Sequence, residues 1–161
     1  TSWGADMRVL IALIAGYLGY RLVKKGYDMT QPQDIYMAKT IWGEARGEGA
    51  RGMQAVANVI MNRVNRGGWY GASIKDVVLK PYQFSCWNAT DPNRAKIDAL
   101  TEADLAASGA LNIARQVISG QLPDITGGAT EYHNKKITPS WNWDKLEKTV
   151  TIGNHVFYRS K

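Results

Sequence analysis

Two glutamates four residues apart stand in the stretch Lys39-Thr-Ile-Trp-Gly-Glu-Ala-Arg-Gly-Glu-Gly-Ala-Arg51. On a continuous helix Glu44 and Glu48 would share a face, the arrangement of a glycosidase acid with its nucleophile or base. Gly47 lies between them and is expected to break the helix, which weakens the pairing. Glu44 has the stronger claim. It follows Trp42 near the expected end of a helix, where the negative dipole end and an apolar flank both disfavour a carboxylate. A carboxyl group whose pKa is raised in this way can give up a proton to a leaving group.

The other reactive side chains give weaker patterns. The two histidines, His133 and His155, belong to no HExxH or paired-cysteine pattern, so no metal site and no cofactor is expected, and structural roles fit them better. Cys86 is the one cysteine, which excludes an intrachain disulfide. Flanked by Phe84 and Trp87, it reads as a packed thiol, with no local signature of a Cys-His nucleophile. The glycines between 43 and 52 lack the Gly-Lys-Ser/Thr ending of a phosphate loop and lead out of a helix rather than a strand.

The elements that must position these groups follow from apolar spacing. Ile35, Ala38, Ile41, Trp42 and Ala45 recur at helical intervals, and Thr30 with Gln33 has the form of a capping box, so a helix is expected from about residue 31. A second should run from about Arg51 to Val64, burying Met53, Val56, Ala57, Ile60 and Val64. Asn58 and Asn62 lie one turn apart on it. They are either exposed or set to orient Glu44 or to bind a ligand. Ser73 can cap a short helix through Leu79, stopped by Pro81. Asp91-Pro-Asn93 reads as a turn. Thr101 should cap one helix to about Ser119, ended by Gly120. Ala129–His133 and Val150–Tyr158 read as short strands, with no repeat or linker to suggest a second domain. Ahead of all this, Val9–Tyr20 is apolar and flanked by Arg8, Arg21, Lys24 and Lys25. Residues 7–28 form either a packed helix or a marginal membrane anchor, short of the roughly 20 residues a span needs.

Composition narrows the partners. A hydrophobic share of 45% with mixed charges marks a globular chain, and the net charge of +6 favours polyanions such as anionic lipid or an acidic envelope polymer. The charges are scattered, without the run expected of a nucleic-acid tail. Six Trp and eight Tyr beside two Phe suit half-wet surfaces, of which a sugar groove is one.

Trp42-Gly-Glu-Ala-Arg-Gly-Glu48 and Gln54-Ala-Val-Ala-Asn-Val-Ile-Met-Asn-Arg63 closely resemble the SleB/CwlJ-type cell wall hydrolase family. The resemblance continues at Gln83-Phe-Ser85, Gly128–His133, Pro139-Ser-Trp141 and Ile152–Tyr158, and covers about residues 34–159. It implies a single lysozyme-like, lytic transglycosylase-like domain over 30–161, mainly α with a small β element (α+β). It also implies Glu44 as the catalytic acid, cutting the bond between N-acetylmuramic acid and N-acetylglucosamine with 1,6-anhydro ends and no second carboxylate, so that Glu48 stays a secondary carboxylate candidate on its spacing alone. Tyr82, Phe84, Tyr132, His133 and Trp141 would line the saccharide groove, with Asn58, Asn62, Gln83 and Asn154 for polar contacts.

The expected partner is peptidoglycan, met in the periplasm or cell wall by a monomer, with membrane contact through residues 8–25. That basic segment, and the lack of a wall-binding domain in the chain, look more like a phage endolysin than a germination enzyme. The rival classes are a hydrolytic muramidase, a non-catalytic glycan-binding module and a peripheral membrane protein.

Overall fold

The computed structural model describes residues 32–161, so the expectations for 7–28 and for Thr30 as a cap fall outside the described residues. Helix α1 spans Gln33–Ala45 and passes through a 3-10 turn, Arg46–Glu48, into α2, Gly49–Arg66. Short helices follow: α3 (Ile74–Leu79), α4 (Arg94–Ala99), α5 (Glu102–Ala107) and α6 (Ala110–Ile118). Strands β1 (Glu131–Asn134), β2 (Leu146–Ile152) and β3 (His155–Ser160) complete the domain. The result is mainly helical with a small antiparallel sheet of order β1-β3-β2, the α+β class expected from the sequence.

Helix α2 joins the two halves. Met53, Val56, Ala57 and Ile60 pack with Met37, Ala38 and Ile41 of α1 and with Leu111 and Ala114 of α6. Its other side, Ala55 and Val59, meets Ala129, Ile152 and Phe157 beneath the sheet. The apolar spacing shows only the first of these faces, because the second is made of an alanine and a valine among polar neighbours.

Local signals placed two caps correctly. Ser73 Oγ accepts from the Asp76 N–H at 3.1 Å, and Thr101 exchanges bonds with Asp104 in a capping box. The helix expected from Thr101 to Ser119 is instead two. It breaks at Ser108-Gly109, where Gly109 adopts φ 80°. Helix α4 was not expected at all. Val150–Tyr158 is likewise not one strand but a hairpin, turned by the two residues Gly153-Asn154. Gly153 has φ 58°, the positive value that a primed hairpin turn requires of its first residue.

Candidate active site

Glu44 lies in the last turn of α1, half-buried, with both carboxylate oxygens bonded. The Cys86 N–H donates to Oε1 at 3.1 Å, and the Tyr132 hydroxyl donates to Oε2 at 3.1 Å. The first donor arrives because Gly43 lets the Ser85–Trp87 turn press against α1. A Cβ on Gly43 would lie 2.8 Å from Cys86 Cβ and 2.9 Å from its Sγ. Trp87 fixes the same turn from its other end, donating its indole N–H to Thr40 Oγ1 at 2.9 Å.

The second donor is carried by β1. Tyr132 stacks on Phe157 of β3 at 5.6 Å and meets His155 edge-on at 5.1 Å. Burial first, and then the Glu44 charge, push the Tyr132 hydroxyl well above the usual phenol value, so it stays a donor. Burial, followed by Glu44, also pushes the Cys86 thiol up. A thiol held protonated is a poor nucleophile, in agreement with the packed role read from its flanks.

Glu48 does not share a helical face with Glu44, because α1 ends at Ala45 and the 3-10 turn intervenes. Asn154 clasps it, with the backbone N–H on Oε2 and the side-chain Nδ2 on Oε1, both at 2.9 Å. The backbone bond from Asn154, then its side-chain bond, hold the Glu48 carboxyl below its usual value. Asn154, expected to contact substrate, commits these donors to Glu48 instead.

Several other expected groove residues are placed elsewhere. Phe84 is 1% exposed and packs in the core under Arg63, so it cannot touch a saccharide. Asn58 is buried, its Oδ1 accepting from the Ile125 N–H at 3.2 Å. Asn62 donates to the Ala129 carbonyl at 2.9 Å and to Asp124 Oδ2 at 3.2 Å. Both asparagines tie α2 to the loop before β1 and neither orients Glu44. Burial opposes the Asp124 charge, and bonds from Thr126, Gly128 and Asn62 outweigh it, holding that carboxyl below its usual value. Neighbouring strand residues point to opposite faces, so His133 turns away from the side of β1 that carries Tyr132. His133 stacks on Tyr158 at 5.5 Å and meets Trp141 edge-on at 5.6 Å. His133 and Trp141 therefore belong to a second aromatic cluster, not to the groove at Glu44.

Tyr82 and Gln83 remain open to a ligand. Tyr82 is 87% exposed at φ 64°, a left-handed conformation that costs a non-glycine residue about 1–2 kcal/mol. Gln83, next to it, is half-buried.

His155, read from the sequence as structural, also adjoins the site, a placement that reading did not give. It is 8% exposed, and its buried Nδ1 has no partner among the described residues. Burial lowers its pKa, while the charges of Glu48 and Glu44 act in the opposite direction. Alternation from the apolar Phe157 would have put His155 on the same inward face. Among the described residues no group of three or more His, Cys, Asp or Glu is placed to hold a metal ion.

The site can be compared with known proteins. The Cell Wall Hydrolase family profile matches residues 47–158, beginning just past Glu44. The spore cortex-lytic enzyme of Halalkalibacterium halodurans is 34% identical over 122 residues, which are 75% of this chain and 33% of that protein. That of Oceanobacillus iheyensis is 30% identical over 142 residues, 84% of this chain and 44% of that protein. The chain thus spans less than half the length of these curated relatives. The crystal structure of the catalytic domain of the Bacillus cereus SleB protein superposes with a TM-score of 0.64 at 28% identity, covering 80% of this chain and 91% of that one. The catalytic domain of the germination-specific lytic transglycosylase SleB from Bacillus anthracis gives 0.62 at 28% identity, covering 82% and 98%. With the family profile running from the first turn after α1 to the last strand, this chain belongs to the Cell Wall Hydrolase family.

Proposed function

We propose that this domain cleaves peptidoglycan between N-acetylmuramic acid and N-acetylglucosamine as a lytic transglycosylase, with Glu44 as its catalytic residue. The observation that carries this reading is the setting of Glu44. It is half-buried, held on both oxygens by donors from two rigid elements, and has no cation paired with it among the described residues. In its protonated form Glu44 gives its proton to the glycosidic oxygen as an oxocarbenium-like state develops. The carboxylate left behind is steadied by the Tyr132 hydroxyl and the Cys86 N–H. It then takes the proton of the sugar's own C6 hydroxyl, which closes the 1,6-anhydro ring.

One carboxylate is enough for both steps. The nearest rival, Glu48, is occupied on both oxygens by Asn154, which favours a single-carboxylate mechanism over a paired one. The class of chemistry agrees with the Bacillus anthracis lytic transglycosylase domain, which this chain covers almost completely. Tyr82 and Gln83, on the loop leading to Cys86, are the side chains proposed to contact the glycan.

The proposed setting is lysis of a host wall by an endolysin-like protein acting as a monomer in the periplasm, the membrane contact being made through residues 8–25. The sequence support is the basic apolar segment itself. Liposome binding by the full chain against a chain truncated before Met29 tests that contact. The chemistry is tested by mass spectrometry of the released muropeptides. A 1,6-anhydro end lacks one water relative to a hydrolysed end. Hydrolysed ends alone would replace this reading with the muramidase one and give Glu48 the task of activating water.

A further inference from the structure

The sheet has a second built surface, on the side of β1 away from Tyr132. A cleft of about 360 Å³ opens there, lined by Glu131, Ser140, Trp141, Asn142, Lys145 and Leu146. That volume lies within the roughly 300–1,000 Å³ usual for small-ligand sites. Trp141 forms one wall and is braced from behind. Its ring packs against His133 at 5.6 Å, Trp143 at 5.5 Å and Tyr158 at 6.0 Å. His133 Nδ1 lies 2.8 Å from the Asn134 carbonyl and must donate to it, which leaves Nε2 to accept the Tyr158 hydroxyl at 3.2 Å. The aromatic support is therefore locked by hydrogen bonds, and Trp141 presents a fixed ring.

The charges around the cleft are unequal. Glu131 is neutralised, its Oε1 accepting from the Tyr70 hydroxyl at 2.7 Å and its Oε2 paired with Arg63 at 3.3 Å. Lys145 has no ion-pair partner among the described residues. The side chains of Ser140 and Asn142 are exposed to solvent beside it. A rigid indole suits the C–H face of a pyranose, the exposed amide and hydroxyl suit its acetamido and hydroxyl groups, and an unpaired ammonium suits a carboxylate.

From this placement we infer that the Trp141–Lys145 cleft is a second glycan site, which holds a muramoyl unit of peptidoglycan, with a carboxylate of its stem peptide against Lys145, on the sheet face turned away from Glu44. The inference rests on the proposed substrate but not on the chemistry at Glu44. Its use is retention. A chain that grips the wall at one face while cutting at another stays on the polymer between cuts, because the second contact becomes intramolecular.

The test measures binding without cutting. In a Glu44→Gln background, cosedimentation with purified sacculi is compared for the parent, Trp141→Ala, Lys145→Glu and Lys96→Glu. Lys96 is exposed on helix α4, outside the sheet, and controls for net charge. Thermal melts confirm folding, and Lys145→Glu carries the test alone if Trp141→Ala fails to fold. Trp141→Ala and Lys145→Glu should each weaken binding about tenfold, as the loss of one stacked or charged contact predicts, while Lys96→Glu changes it less than twofold. Chitin, which has no carboxylate, should bind the Lys145→Glu protein as it binds the parent. In intact sacculi the lactyl carboxyl is tied up as the amide to the stem peptide, and removing the stem peptides frees it. Loss of the Lys145 effect on stripped sacculi confirms the stem-peptide carboxylate, and a retained effect shows that the freed lactyl carboxylate can take its place. With Glu44 intact, cleavage of short soluble glycans by Lys145→Glu should stay within twofold of the parent. Equal losses from Lys145→Glu and Lys96→Glu, or unchanged binding by folded cleft variants, overturn the site. Absence of cleavage by the parent would instead sink the proposed activity and leave the binding result standing.

Discussion

Asn154 holds both oxygens of Glu48, with its backbone N–H and its side-chain amide each at 2.9 Å, and thereby ties the β2–β3 turn to the turn between α1 and α2. The tie needs Gly153 beside it, since a Cβ there would run into the Glu48 carboxylate. A glutamine at position 48 can accept only one of the two bonds, and its NH₂ would face the other donor. Glu48→Gln should therefore lower Tm by roughly 3–6 °C while the folded protein keeps cutting within a few-fold of the parent. The pH dependence has a definite sign. Because Asn154 depresses the Glu48 pKa, the stabilisation is present above the unfolded value of about 4.3 and is lost as pH falls through the folded value. The gap in Tm between parent and variant should close below that range. A gap that persists at pH 2 would show that the carboxylate charge is not what Asn154 recognises.

His155 predicts a second loss of stability on the acid side, beginning at higher pH. Burial lowers its pKa, so between the folded value and the unfolded value of about 6.5 the unfolded chain binds more protons. Stability from this residue is complete above about pH 6.5 and falls as the pH is lowered toward the folded value. His155→Phe keeps the ring packing against Tyr132 and Phe157 and removes the orphaned Nδ1. Chemical denaturation from pH 5 to 7 should show a slope in the parent that is reduced in His155→Phe. Equal slopes would assign the dependence to another group.

These two residues also show what the sequence could and could not reveal. The Ser73 and Thr101 caps were legible because a cap is settled within three residues. The place of Glu44 at the end of α1 was legible because the apolar spacing before it and Gly47 after it are local signals. The roles of Asn58, Asn62 and Asn154 were not, because each depends on a partner more than 60 positions away. Phe84 was misplaced for a related reason: an aromatic in an irregular loop has no periodicity to say which way it points. His133 and Trp141 were grouped with Tyr132 by resemblance, whereas the pleat of β1 separates adjacent residues onto opposite faces. The Val150–Tyr158 hairpin did carry a local signal, since Gly153-Asn154 between two β-branched or aromatic runs is a two-residue primed turn, and reading the segment as one strand overlooked it.

Glu44 and its two donors should be separable by substitution. Glu44→Gln can keep both bonds, with its carbonyl toward the Cys86 N–H and its NH₂ toward the Tyr132 oxygen, yet it cannot move a proton. Cleavage should fall by about 10²–10⁴-fold or more, with Tm close to the parent's. Tyr132→Phe preserves the stack on Phe157 and removes only the hydroxyl bond. Its kcat should fall about 10–100-fold, the worth of one hydrogen bond to a charged group. A folded Glu44→Gln protein cutting near the parent rate would remove Glu44 from the chemistry. A Tyr132→Phe protein that lost only affinity, with kcat unchanged, would make Tyr132 a substrate contact rather than a support for the carboxylate.

The last expectation concerns a residue that bears no functional group. Gly43 precedes Glu44, and any Cβ there meets Cys86 Cβ at 2.8 Å and Sγ at 2.9 Å. The Ser85–Trp87 turn would have to move away by several tenths of an ångström, and with it the N–H that reaches Glu44 Oε1 at 3.1 Å. Gly43→Ala should thus cost about 1–3 kcal/mol in stability, the usual penalty of overpacking. It should also lower kcat about tenfold, because small misplacements of a catalytic group are costly. Removing the obstruction on the other side separates the two effects. In Gly43→Ala/Cys86→Gly the Cβ and Sγ of position 86 are gone, the turn can return, and the N–H can again reach Glu44. Activity should recover further than stability does, since the added glycine loosens the turn by roughly 0.5–1 kcal/mol. If kcat stays low in a double variant that folds, the close approach at Gly43 serves packing alone and the Cys86 N–H has no part in holding the acid.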